Sequence, residues 1–149
     1  MFTYFIAMTM AAIPPEPPPV VPWDEPRAEA VFKGLQERGS RLGLDEARRR
    51  ADLRRAMEAM GAQPDRAARL AVDSAWHEYN EAFGEHWKMR VDLEAAPMTL
   101  GPLSPRDADR IAEAVLARRD ILAASREQHD ALREAALANR RVLRGLAAN

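Results

Sequence analysis

The chain has no cysteine among its 149 residues, few aromatics (6%) and almost no excess charge of either sign. The missing cysteine excludes disulfides, thiolate zinc sites and cysteine nucleophiles together. With 22 basic and 23 acidic residues the net charge is −1, so the strong basic excess typical of nucleic-acid binders is missing. There is no glycine-rich phosphate loop, and three histidines without cysteine leave the usual nucleophile motifs unmade. The expectation is a protein that is not an enzyme and needs no cofactor.

Long apolar runs are also scarce. Met1 to Ile13 has no charged side chain, but Pro14 and Pro15 break it well short of a bilayer-spanning length, so no transmembrane span is expected. The run lacks the Lys or Arg that normally opens a secretory signal. It reads as part of an arm, a weak signal, or a leader upstream of a true start at Met8 or Met10. A cytoplasmic location, or one inside a macromolecular assembly, is expected over the periplasm.

What is abundant is alanine, leucine, arginine and glutamate, the composition of long helices. Alanine buries little area, so the core per residue is thin. Seven of the eleven prolines fall between Ala11 and Pro26, a stretch favouring extended polyproline II. Residues 1–23 are therefore read as an apolar and proline-rich arm, with Pro17, Pro18, Pro19 and Trp23 as contacts to a neighbouring chain. Residues 24–149 are read as one helical domain.

Within that domain the spacing predicts four helices. The first runs over 24–39 from an Asp24 cap with Pro26 in its first turn, and Gly39 and Gly43 end it. The second covers 45–60, with Gly61 in the C′ position. The third starts at Pro64 and continues to about 95, where Pro97 stops it. It carries a stripe, Val72, Trp76, Tyr79, Phe83, Trp87 and Val91, that is the expected core. The fourth opens at Ser104-Pro105-Arg106-Asp107, a serine cap with proline at the first helical position, and runs to about 146. That is roughly 60 Å of helix at 1.5 Å per residue. The fold class is all-α, a helical hairpin or bundle with a long C-terminal helix and an extended arm.

Two apolar tracks run along the last helix. One, Ile111, Val115, Leu122, Leu132, Ala136, Leu143 and Leu146, is interrupted by Arg118, Ser125, His129 and Asn139. The other, Ala114, Ala117, Ile121, Ala124, Gln128, Ala131, Ala135, Ala138 and Val142, has only one polar member. Its steps of three and four suit a close helix–helix seam. Two adjacent tracks form a face too wide for one partner helix, and the end beyond Leu132 outruns the third helix. The predicted protein-interaction residues are Ala124, Ala131, Leu132, Ala135, Ala138, Val142, Leu143 and Leu146, with the arm.

Competing chemistry is weaker. Metal sites in helical bundles use a Glu three residues before a His. The residues in that place before His77, His86 and His129 are Ser74, Phe83 and Arg126, so no metal is expected. Arg48, Arg49, Arg50, Arg54 and Arg55 crowd one segment, but Asp45, Glu46, Asp52 and Glu58 nearly cancel them. Arg140, Arg141 and Arg144 suit the negative end of a helix dipole. The leading expectation is a non-enzymatic structural subunit of a larger protein assembly, connector- or adaptor-like, whose partners are other protein chains in a homo-oligomer, a hetero-complex or both. The alternatives are a nucleic-acid-associated packaging or regulatory subunit and a periplasmic helical-hairpin chaperone or sensor.

Overall fold

Three long helices make up the described chain, residues 25–99 and 105–148 of a computed structural model. Helix α1 is Glu25–Met60, α2 is Arg66–Thr99 and α3 is Pro105–Ala147. At 1.5 Å per residue they are about 54, 51 and 65 Å long. The described residues are all-α with a long C-terminal helix, as the sequence pattern requires. The arm, with Pro17, Pro18, Pro19 and Trp23, lies outside the described residues.

The first two predicted helices are one. Gly39 and Gly43 do not end α1; they sit inside it. A Cβ at Gly39 would come 2.8 Å from Cζ of Arg118 on α3, so the glycine lets that guanidinium lie against the α1 backbone. Helix-interior glycine costs about 1 kcal/mol relative to alanine, a cost that tertiary packing offsets here. At the other end of α1, Gly61 adopts φ +64°, the left-handed conformation that closes a helix.

Two other boundaries differ from expectation. Helix α2 starts at Arg66, one residue after Asp65, whose carboxylate accepts the Ala68 amide at 2.7 Å and acts as the N-cap in place of a start at Pro64. It also continues past Pro97 to Thr99. A proline so near the end removes one intrahelical hydrogen bond from a helix that stops two residues later, which costs less than a break in its middle. Helix α3 runs unbroken through Ser125–Gln128.

Helices α1 and α3 are parallel to each other, and α2 is antiparallel to both. Ser125 meets Glu46 across an offset of 79 residues. The contacts of Phe32 with Ile111 and of Gly39 with Arg118 keep the same offset, so α1 and α3 stay in register over two heptads. Helix α2 lies between them. Its buried face is Val72, Trp76, Tyr79, Ala82, His86, Met89 and Leu93. The expected stripe holds for its first half, but Phe83 and Trp87 are half-buried and Val91 is exposed, displaced by the path through His86, Met89 and Leu93.

The main core joins Leu53 of α1, Val72, Trp76 and Tyr79 of α2, and Ala136 of α3, with Leu132 packed against them. The end of α3 beyond Leu132 is therefore covered by the α1–α2 corner, not left overhanging. Asn139 exchanges hydrogen bonds with Arg69, and Arg140 pairs with Asp73 at 2.8 Å. Only the last turns run clear, with Leu146 exposed. No helix of the described residues is long and apolar enough to cross a membrane. Leu53 is fully buried at the α1–α2–α3 junction, so Leu53→Ala is expected to lower unfolding free energy by about 2–5 kcal/mol in urea denaturation.

Candidate functional site

The polar interruptions of the α3 track are the residues that meet buried partners. Glu46, at 2% exposure, lies at the centre of the bundle. Its Oε2 accepts Nδ1–H of His86 on α2 at 2.6 Å, and its Oε1 accepts the Ser125 hydroxyl of α3 at 2.6 Å. Arg50, one turn along α1, donates to Oε1 at 3.0 Å. One carboxylate thus ties all three helices at one level. Burial alone would raise the Glu46 pKa. The hydrogen bonds from His86 and Ser125, with the charges of His86 and Arg50, outweigh it and hold the carboxyl below its ordinary value.

This trio contains the residue types of a hydrolase triad but not its geometry. In a triad the base takes a proton from the serine. Here the Ser125 hydroxyl and His86 both donate to Glu46, so the imidazole is not placed to take the serine proton. The Nε2 of His86 is buried with no hydrogen-bond partner. It lies beneath Gly43, where an added Cβ would be 3.6 Å away.

A second buried histidine, His129, lies one turn further along α3 from Ser125. His129 stacks on Phe83, with ring centroids 3.9 Å apart and planes 14° from parallel, and is flanked by Trp76 and Tyr79. Its Nε2–H donates to Asn80 Oδ1 at 2.9 Å. Burial lowers its pKa, against a smaller opposite pull from Asp130. The Tyr79 hydroxyl is buried, and burial together with the nearby Glu46 charge pushes its pKa up to about 12. It stays protonated throughout the physiological range.

Above Glu46 and His86 the bundle is open. A groove of about 550 Å³ runs between α1 and α3, lined by Ser40, Gly43 and Leu44 on one side and Ile121, Ala124 and Gln128 on the other. It adjoins an apolar cavity of about 160 Å³ whose walls include Phe32, Leu35, Leu93, Ile111 and Val115. Arg118 and Ile121 line both. The guanidinium of Arg118 makes no ion pair or hydrogen bond among the described residues.

The predicted interaction residues of α3 divide. Ala124, Ala131, Ala135, Ala138, Val142 and Leu146 are exposed, whereas Leu132 and Leu143 are half-buried on the inner face. The acidic face of α2 holds His77 and Glu81, 3.8 Å apart and each 70% exposed, while His86 points the other way into the core. Among the described residues no three metal-ligating side chains cluster. Glu46, Ser125, Arg118 and Gly43 were not singled out as a site from sequence. The available signal was that Arg118, Ser125, Leu132 and Asn139 recur every seven residues, which places three polar side chains on one inward seam. Comparison with protein families, with curated proteins and with solved structures finds no match for this chain.

The lowered pKa values of the two buried groups, Glu46 and His129, shape the response to acid. For each group the folded state binds protons less readily than the unfolded chain. The stability each adds is complete above its unfolded pKa and is lost as pH falls through the folded value. Loss due to His129 begins near pH 6.5, and loss due to Glu46 begins near the ordinary carboxylate range of about 4.3. Urea midpoints measured from about pH 8 down to about pH 3 should therefore fall in two stages, and His129→Gln should flatten the upper one. An unchanged slope between pH 6.5 and 5 in that variant would contradict the assignment.

Proposed function

We propose that this chain is a non-enzymatic helical subunit of a larger protein assembly, and that it joins a second copy of itself through the alanine stripe of α3. The observation that carries the reading is the exposure of that stripe. The α3 residues that pair inward are those of the interrupted track. Ala117, Ile121, Ala124, Ala131, Ala135, Ala138 and Val142 are left facing outward. Ile121 and Val142, its largest apolar members, are 49% and 43% exposed.

The stripe is self-complementary in an antiparallel arrangement. Set about a two-fold axis between Gln128 and Ala131, Ala117 meets Val142 of the other copy, Ile121 meets Ala138, Ala124 meets Ala135 and Gln128 meets Ala131. The larger residues always face alanine, which keeps the two backbones close and evenly spaced. In the same register Asp120 flanks Arg141, an attractive pair. Glu127 flanks Glu134, a repulsion that added salt relieves. An isologous contact of this kind is the commonest basis of homodimers.

The stripe is tested by Ala131→Glu. The site is exposed in the single chain, so the fold should change by less than about 0.5 kcal/mol. Near the two-fold, the substitution places two like charges in the seam. Sedimentation at tens of micromolar should show association in the native chain and a monomer in the variant. A native chain that is monomeric at that concentration, or a variant that associates equally well, would overturn the reading.

A further inference from the structure

The groove above His86 combines features that a protein–protein seam does not need. Its floor holds a buried imidazole nitrogen without a partner. Its edge holds the Arg118 guanidinium, half-buried and without a carboxylate. Arg50 adds a second guanidinium beside Glu46. Counting the charged side chains that line the groove, Arg50 and Arg118 outweigh Glu46, so the site carries a net positive charge. A cation is therefore disfavoured, and among the described residues Glu46 and His86 gain no third metal-ligating side chain. Continuous with this charged end is the apolar cavity walled by Phe32, Leu35, Leu93 and Ile111, reached past Ile121.

We propose that the α1–α3 groove binds a small organic carboxylate with an apolar tail, its carboxylate held by Arg118 over His86 and its tail in the cavity beneath Leu35 and Ile111. Arginine is the side chain best matched to a carboxylate, because its planar fork offers two parallel donors. The volume, mostly apolar lining and few convergent polar groups are those of a small-molecule site. Gly43 packs against the His86 ring, where an added Cβ would lie 3.4 Å from Cε1.

Octanoate is the probe, with octanol and acetate as controls for the head and the tail. The titration uses the full chain carrying Ala131→Glu, so that failure to self-associate and failure to bind are separate results. Octanoate should bind saturably at one site per chain, more tightly than either control, and should shift the His86 ring nitrogens in ¹⁵N spectra. Arg118→Gln should weaken octanoate by about tenfold or more, the worth of a charge-assisted hydrogen bond, and leave octanol unchanged. Gly43→Ala sets a methyl group 3.4 Å from Cε1 and 3.6 Å from Nε2 of His86, in ordinary contact, so the fold is kept while the His86 response should vanish. Octanol binding as tightly as octanoate, an Arg118→Gln variant of native affinity, or ring nitrogens that do not shift would each overturn the proposal.

Discussion

The arrangement of all three helices depends on the Glu46 carboxylate. Removing such a group from water costs several kcal/mol even after the protein relaxes, and the cost is offset only by well-formed partners. Here the partners come from every helix: Arg50 from α1, His86 from α2 and Ser125 from α3. Apolar packing alone would not choose one helix register over another a heptad away. The carboxylate does. Sliding α3 one heptad one way would set Glu46 against Leu132. Sliding it the other way would bring Arg118 to Glu46 but would place Ser125 on Leu53 and carry Phe32 beyond the start of α3. A buried polar group that fixes register is the best-attested role for such residues.

That constraint also explains what the sequence made legible and what it did not. The long last helix was readable because its signals are local: Pro105 and Asp107 in the first turn and no proline afterwards. The left-handed stop at Gly61 was local in the same way. Gly39 and Gly43 misled because a glycine that ends a helix and one that admits a side chain look identical along the chain. What distinguishes them is Arg118, 79 residues away from Gly39. The inner face of α3 was hidden for the same reason. An unbroken alanine track resembles a buried seam more than a track containing Arg118, Ser125, His129 and Asn139. The interrupted track is nevertheless the one that packs inward, because Glu46, Asn80 and Arg69 satisfy its polar members. Burying Ile111, Leu122 and Leu132 also gains far more than burying alanines, whose side chains offer little area.

The candidate site was therefore legible only in parts. Its residue types were visible, and the seven-residue recurrence of Arg118, Ser125 and Asn139 was visible. Their joint meaning required knowing that α1 is continuous, since a break at Gly39–Gly43 would have removed Glu46 from the level of Ser125. One misread glycine pair propagates into a missed site. The error is physical: helix propensity sums over neighbours in sequence, whereas the offset to a helix-interior glycine is paid by a residue remote in sequence and close in space.

The proposed groove and the proposed seam share residues of α3. Ile121, Ala124 and Gln128 line the groove above His86 and also belong to the exposed stripe. A ligand resting against Ile121 from the groove side constrains the rotamer that the stripe offers a second copy. A second copy seated on Ala124 and Gln128 in turn narrows the mouth through which a ligand enters. Any effect of one event on the other must be equal in both directions, because the coupling free energy belongs to the pair of sites. Its sign follows from what each event does to Ile121. A tail that holds this side chain in the orientation facing Ala138 of the other copy strengthens association. A tail that draws it inward, toward Leu35 and Ile111, removes the largest side chain of the stripe from the seam and weakens it.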